Sequence, residues 1–254
     1  MKYSLNYTQS HEYLSQCDEI RVPESKIFTV ETLATKYPKV RFAVILSDNP
    51  NWDNIAGAAT KAPIVCGLKN LAYAQQCKEH NLPFYYVYPV NSFFELRGLK
   101  DLGAEYAYTG MPIFFQMPIV KEVGIKIRCI PNVAYEAFIP QATGVCGQWI
   151  RPEDMEAYEP YIDICEFAAD SPEQEKALFR IYAQDKHWSG DLNDLIKNLN
   201  YPCKNLAVYK GLADIRISCG QVCQQRGGCK YCYRALGFGT TVAKYGEMKQ
   251  KILL

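Results

Sequence analysis

The chain has 254 residues, of which 48% are hydrophobic and 22% are charged, and its net charge is +1. This balance is typical of a soluble globular protein of one or two domains and excludes a disordered or collagen-like chain. No stretch approaches the roughly 20 consecutive apolar residues of a membrane span, so we expect no such segment.

The predicted strands recur at regular intervals. Residues 2–7 and 19–22 form two short candidates, and seven apolar or aromatic runs follow with starts about 20 residues apart. These runs are residues 41–47, 63–67, 84–88, 105–109, 125–130, 144–150 and 162–167. Continuous apolar runs are typical of strands buried on both faces, and the interval accommodates one strand, one short helix and two tight loops.

The intervals between these runs carry helix signals. Residues 70–81 have apolar positions at helical spacing, and Ser92 with Glu95 forms a capping-box pattern. Ser171 followed by Pro172 predicts another helix start. We therefore expect an α/β fold, a (β/α)8 TIM-like barrel of eight or nine short βα repeats, with an open doubly wound sheet as the alternative.

The pattern changes after residue 167. Helical segments are predicted at 171–188 and 191–199, and a Gly- and Cys-rich stretch follows. We predict a barrel over residues 1–167 and a small helical, basic, cysteine-rich appendage over 168–254 that packs on it. Residues 204–254 contain nine Lys or Arg against two acidic residues, a net charge of +7. That charge favours RNA or a small anionic substrate as a partner, although basic runs are also common on solvated surfaces.

Four cysteines provide the strongest chemical signal. Cys219, Cys223, Cys229 and Cys232 lie within fourteen residues at spacings C-x3-C-x5-C-x2-C, and glycines between them permit tight wrapping. Four thiolates suit either a 4Fe-4S cluster or tetrahedral Zn²⁺, and the spacing does not separate the two. Free thiols are the third interpretation. We expect a reducing, cytoplasmic location, because eleven cysteines cannot all pair and the N-terminus has no signal-peptide pattern.

Other cysteines have a simpler interpretation. Cys66, Cys129, Cys146 and Cys165 fall inside predicted strands. Free cysteine is among the most buried residue types, so these four are expected to be core side chains. Cys17 and Cys203 are open cases, because either residue could replace one of the four presumed metal ligands.

Barrel enzymes carry reactive groups at the C-terminal ends of their strands. Candidates at such positions are Arg128, Asn132, Gln148, Arg151 and Glu166. Arg128 interrupts a core-like strand and therefore needs an anionic partner, either a carboxylate such as Glu166 or a ligand. The sequence contains no G-x-S-x-G, H-E-x-x-H, P-loop or G-x-G-x-x-G motif.

A family resemblance rests on the W-I-R-P-E-D segment at residues 149–154, on Tyr158 and residues 162–167, on a helix ending near Trp188, and on the cysteine cluster. Over about residues 40–235 the chain resembles the collagenase-like peptidase family, peptidase family U-thirty-two. The resemblance implies a barrel. Family members were first labelled peptidases, and several are now associated with iron-sulfur-dependent hydroxylation of RNA bases or of ubiquinone precursors.

The resemblance also implies ligands. It maps the cluster onto Cys219, Cys223, Cys229 and Cys232. In relatives one ligand can come from elsewhere in the chain, which keeps Cys17, Cys66 and Cys203 as alternatives.

The leading hypothesis is therefore an iron-sulfur enzyme of oxygen-independent hydroxylation. In it Arg128 and Arg151 bind an anionic group of the donor or substrate, and Asn132, Gln148 and Glu166 orient that group. The alternative is a non-catalytic barrel with structural zinc that binds a protein partner. A peptidase is the third hypothesis.

Overall fold

The computed structural model of the protein describes residues 1–7, 12–114, 116–134, 149–198 and 217. The cysteine cluster, Gln148, Cys146 and Cys203 lie outside the described residues.

Eight parallel strands form a closed barrel in which neighbours follow chain order and the last strand pairs with the first. The strands are β1 (Lys2–Asn6), β2 (Glu19–Pro23), β3 (Arg41–Ile45), β4 (Ile64–Leu68), β5 (Phe84–Val90), β6 (Tyr106–Thr109), β7 (Lys126–Cys129) and β8 (Ile164–Cys165). The predicted barrel is confirmed, and closure excludes the open sheet because an open sheet would leave two unpaired edges.

Short helices lie between the strands and after β8. They are α1 (Val30–Lys36), α2 (Trp52–Ala59), α3 (Ala74–Glu79), α4 (Phe93–Asp101), α5 (Met111–Phe114), α6 (Met117–Val123), α7 (Met155–Tyr158), α8 (Pro172–Phe179) and α9 (Leu192–Leu195). None of these helices exceeds nine residues, because a repeat of about 20 residues leaves room for only two or three turns. No helix in the described ranges is long and apolar enough to cross a bilayer.

Local capping fixes where two of the helices begin. The Ser92 hydroxyl accepts a hydrogen bond from the Glu95 amide at 3.1 Å, and the Glu95 carboxylate accepts one from the Ser92 amide at 3.1 Å. The Ser171 hydroxyl likewise accepts from the Gln174 amide, with Pro172 at the first helical position. Both helix starts predicted from the sequence are therefore confirmed.

Of the strand predicted at residues 144–150, residues 144–148 lie outside the described residues, and Trp149 and Ile150 belong to no strand. The barrel closes without this segment, because β7 pairs directly with β8. Trp149 and Ile150 are fully buried outside any strand, and the Ile150 amide donates to the Pro131 carbonyl at 2.8 Å. A short apolar run can be buried equally well in an irregular conformation, so hydrophobicity alone did not identify its structure.

The outer faces of the strands pack against the helices in one large apolar cluster. Cys66, Cys129 and Cys165 lie in strands and are buried in this cluster, as predicted for core cysteines. Ile217 also belongs to it and is only 7% exposed. Ile217 lies two positions before Cys219 in the sequence.

The inward side chains lie in successive levels along the barrel axis, because alternate strands contribute to each level. The strand register gives a lower level of Glu19, Val65, Tyr106 and Ile164, a middle level of Ser4, Ala43, Tyr85 and Arg128, and an upper level of Arg21, Gly67, Tyr108 and Glu166. Above these levels, at the C-terminal ends of the strands, lie Asn6, Ile45, Val87 and Ile130, which we call the mouth ring. The ring is partly exposed, whereas the levels below it are almost entirely buried.

Replacing Ser92 by Ala should lower the free energy of unfolding by about 1 kcal/mol, because the Glu95 amide loses its capping acceptor. Urea unfolding measures the change. Ser47 is exposed, and Ser47→Ala is the control, with an expected change within about 0.5 kcal/mol. Equal effects of the two substitutions would contradict the assigned cap.

Candidate functional site: a charged barrel interior

A chain of charged side chains runs through the barrel, with positive and negative groups alternating. We call it the interior charge chain. In order it comprises Lys126, Glu105, Arg41, Glu19, Arg128, Glu166, Arg21 and Glu175, each in an ion pair with the next. Four cations face four carboxylates, so its formal charges cancel.

Arg128 occupies the centre of this chain and is completely buried. Its Nε donates to Glu166 at 2.6 Å, and its Nη2 donates to Glu19 at 2.5 Å. The guanidinium carbon also lies 4.1 Å from the centre of the Tyr85 ring, a cation–π distance. The sequence left a carboxylate or a ligand open as the partner of Arg128, and the structure provides two carboxylates.

Glu166 lies in the upper level and joins two arginines. It accepts hydrogen bonds from Arg128, from Arg21 and from the Tyr108 hydroxyl, the last at 2.5 Å. Burial by itself would raise the pKa of Glu166, but the two arginines and these hydrogen bonds outweigh burial and hold the pKa below its usual value. Glu166 is therefore a carboxylate at neutral pH.

Glu175 approaches the upper end of the chain from helix α8. Its carboxylate accepts from Arg21 Nη2 at 3.0 Å and from the backbone and side-chain nitrogens of Asn6 at 3.0–3.1 Å. Burial raises the pKa of Glu175, and Arg21 and Asn6 offset that rise only in part. The two buried carboxylates that flank Arg21 thus have pKa values shifted in opposite directions.

The lower end of the chain is more open to solvent. Arg41 pairs with Glu19 at 2.9 Å and with Glu105 at 3.2 Å, and Lys126 pairs with Glu105 at 2.8 Å. Both cations also approach the ring of Tyr106, at 4.8 and 5.2 Å from its centre. Barrel enzymes carry their reactive groups at the C-terminal ends of the strands, whereas this cluster lies at the N-terminal ends. Its position therefore indicates a structural role in closing the lower end of the barrel.

Two buried tyrosines line the upper half of the interior and differ in their bonding. The Tyr108 hydroxyl donates to Glu166, whereas the buried Tyr85 hydroxyl has no hydrogen-bond partner in the described part of the chain. Burial raises the pKa of both phenols, so both stay protonated at neutral pH. Tyr85 fits because Gly67 faces it: a Cβ at Gly67 would lie 2.9 Å from the hydroxyl oxygen.

The other predicted site residues lie apart from this chain. Asn132 is buried, and its amide group donates to the Ala168 carbonyl and accepts from the Ala168 amide, both at 2.9 Å. Arg151 is buried and forms a double hydrogen bond with Asp154 at 2.7 and 2.8 Å. The structure thus brings Arg128 and Glu166 together and places Asn132 and Arg151 elsewhere, while Gln148 falls outside the described residues.

The described cysteines do not assemble into a metal site. Cys17 is buried and donates to the Leu14 carbonyl, and Cys66 lies beside Cys77 between strand and helix. Within the described ranges, no three His, Cys, Asp or Glu side chains are grouped as metal ligands.

Six members of the interior charge chain were not predicted from the sequence, because five of them lie before or within strands and Glu175 lies on a helix. Glu19 and Arg21 nevertheless carry a signal: they alternate with buried Ile20 and Val22 in β2. A period of two with charges on one face indicates an amphipathic strand, and in a closed parallel barrel the polar face must point inward. Glu175 gave no such signal, because it lies on a helix.

Comparisons with known proteins found solved structures of low similarity. No protein-family model matches the chain, and no curated protein sequence matches it. A 3-keto-L-gulonate-6-phosphate decarboxylase from Vibrio cholerae is 15% identical, with a TM-score of 0.46 over 74% of this chain and 98% of that one. A thiamine phosphate pyrophosphorylase from Pyrococcus furiosus is 14% identical, with a TM-score of 0.44 over 73% of this chain and 96% of that one. KGPDC from Streptococcus mutans is 10% identical, with a TM-score of 0.43 over 76% and 98%.

Glu166→Gln and Glu175→Gln should change the pH dependence of stability in opposite directions. The lowered pKa of Glu166 means that its ionisation stabilises the folded state above about pH 4.5, and this contribution is lost as the pH falls through the lowered pKa. The raised pKa of Glu175 means that its protonation stabilises the folded state below about pH 4.5, and this contribution is lost as the pH rises through the raised pKa.

Urea unfolding between about pH 3 and 7 measures both effects. The free energy of unfolding of wild type minus that of Glu166→Gln should decrease as the pH falls. The same difference for Glu175→Gln should increase. Glu31→Gln is the control, because Glu31 forms an exposed ion pair with Lys61. Parallel pH profiles for the two buried substitutions would contradict the assigned shifts.

Proposed function

We propose that this chain is an iron-sulfur protein that carries out oxygen-independent hydroxylation, or a related modification, of an RNA base or a quinone precursor. The observation that carries the proposal is the spacing of the four cysteines at 219, 223, 229 and 232. A second support is the closed barrel, a fold that hosts many chemistries at the C-terminal ends of its strands.

The donor set fits the proposed cofactor. Four thiolates complete the ligation of a 4Fe-4S cluster, and Gly220, Gly227 and Gly228 allow the chain to turn sharply between them. Basic residues at 226, 230 and 234 add positive charge beside the thiolates. When bound, such a cluster accepts and returns single electrons.

The overall reaction must balance without molecular oxygen. Replacing a C–H bond of the substrate by C–OH is a two-electron oxidation. The oxygen then comes from a hydroxylated organic donor, whose C–OH becomes C–H and which is reduced by the same two electrons. The proposal therefore requires two organic molecules, the substrate and the hydroxyl donor.

Within this proposal Arg128 and Glu166 are positioning residues, whereas Asn132 and Arg151 form hydrogen bonds elsewhere in the structure. Arg128 and Arg151 already hold carboxylates, so either could bind an anionic substrate group only by giving up an intramolecular partner. Removing one partner of a buried ion pair costs about 3–5 kcal/mol, more than a single new hydrogen bond returns. The interior charge chain instead fills the barrel directly beneath the mouth ring, and we call it the floor of the mouth.

A second candidate is a non-catalytic barrel in which the four cysteines bind structural zinc and the protein recognises a partner. This role is favoured by the bonding of the described site residues, because Arg128, Asn132, Arg151 and Glu166 all have intramolecular partners. The nature of the metal separates the two candidates.

Anaerobically purified protein should contain about four irons and four sulfides per chain and show a broad visible absorption band. Cys229→Ser should lose most of the iron, because the cluster loses a thiolate ligand. Cys77→Ser is the matched control and should keep the iron, since Cys77 is a buried core residue on α3. Stoichiometric zinc without colour would reject the iron-sulfur proposal in favour of the second candidate.

RNA as substrate makes a separate prediction about salt. Residues 204–254 carry a net charge of +7, and each phosphate they neutralise contributes about −0.7 to the slope of log K against log salt for single strands. Affinity for a single-stranded RNA should therefore fall steeply between about 50 and 200 mM salt. Replacing Lys244, Lys249 and Lys251 by Gln should flatten the slope, and an unchanged slope or no binding would leave the quinone precursor as the substrate class.

A further inference from the structure

Two buried hydrogen-bond donors in the barrel interior have no acceptor among the residues that the structure describes. They are the Tyr85 hydroxyl and Arg21 Nε. Most buried polar groups in native proteins are hydrogen-bonded, and leaving one unpaired has a substantial free-energy cost. Two unpaired donors inside one barrel therefore indicate that an acceptor atom belongs there.

Both donors lie directly beneath the mouth ring. Arg21 and Gly67 belong to the upper level, and the Tyr85 hydroxyl touches the position that a Cβ of Gly67 would occupy. Ala43 is the register partner of Arg21, so two small residues adjoin the donors. Ile45 lies beside the Tyr85 hydroxyl on the mouth side: its Cδ1 lies 2.7 Å from the same Gly67 Cβ position, and Ile45 is itself partly exposed.

The charge balance limits what this acceptor can be. Arg21 is already paired with Glu166 and Glu175, and the interior charge chain as a whole is neutral. An anionic ligand would add an uncompensated buried charge, whereas a carbonyl oxygen accepts two hydrogen bonds without adding charge. The partly exposed side chains of Ile45, Val87 and Ile130 would face the rest of the ligand, and all three are apolar.

We propose that the barrel mouth binds a small uncharged molecule with an apolar body and one carbonyl oxygen, which accepts hydrogen bonds from the Tyr85 hydroxyl and Arg21 Nε. Ile45 moves aside to admit the ligand, and the mouth ring contacts its apolar part. The site uses barrel residues alone. It therefore does not depend on which metal the cysteines hold, or on whether the protein is an enzyme.

Isobutyramide and isobutyrate test the proposal, because they have the same shape and differ in charge. Titration of the full chain, followed by NMR chemical-shift changes, should give saturable millimolar binding of isobutyramide and at least about tenfold weaker binding of isobutyrate. Tyr85→Phe should weaken isobutyramide binding about tenfold, the effect of one lost hydrogen bond. Gly67→Ala should also weaken it, because the new Cβ would displace the hydroxyl.

Stability provides the matched control. Tyr85→Phe removes an unpaired hydroxyl and should leave the urea midpoint unchanged or raised, whereas Tyr108→Phe removes a bond to Glu166 and should lower it. Three results would each overturn the proposal: isobutyrate binding as tightly as isobutyramide, isobutyramide binding that is unchanged in Tyr85→Phe, or no saturable binding up to about 100 mM. The last result would mean that the two donors bind only ordered water.

Discussion

Arg128 carries its positive charge in the centre of the barrel, where no solvent reaches it. An isolated charge at such a position is strongly disfavoured, so the surrounding strands must provide carboxylates at fixed distances. Glu19 from β2 and Glu166 at the end of β8 fulfil that requirement, and each then pairs with a further arginine. The buried charge of Arg128 is thus the centre of a chain of ion pairs that connects strands from opposite sides of the barrel.

This polar interior constrains what the barrel can do. The ion pairs cancel formally, and the rings of Tyr85, Tyr106 and Tyr108 surround the guanidinium group of Arg128. The interior therefore has no net charge to attract a phosphate or a carboxylate. A ligand at the mouth would meet the mouth ring first and, beneath it, the partly exposed Arg21. A neutral interior with two donors that lack a partner within the described ranges favours neutral ligands.

The cysteines fall into two populations with different physical roles. Cys66, Cys129 and Cys165 behave as small apolar side chains, because strands in a parallel barrel are covered on both faces. The four cysteines after residue 218 lie in a segment rich in glycine and basic residues, a composition that suits metal ligation rather than core packing. Ile217 marks the transition, since it is the last described residue of the apolar core before that segment.

The barrel class and the strand order could be predicted from the amino-acid pattern, because apolar runs about 20 residues apart leave room for only one short helix between parallel strands. The capped starts of α4 and α8 were equally predictable, since each depends on residues three positions apart. The conformation of residues 149–150 was not, because burial has the same hydrophobic signature in a strand and in an irregular segment. The partners of Arg128 follow from the three-dimensional arrangement alone: Glu19 lies 109 positions away in the chain and Glu166 lies 38 away. Closure of the barrel brings these side chains together, and no local pattern in the sequence encodes contacts over such separations.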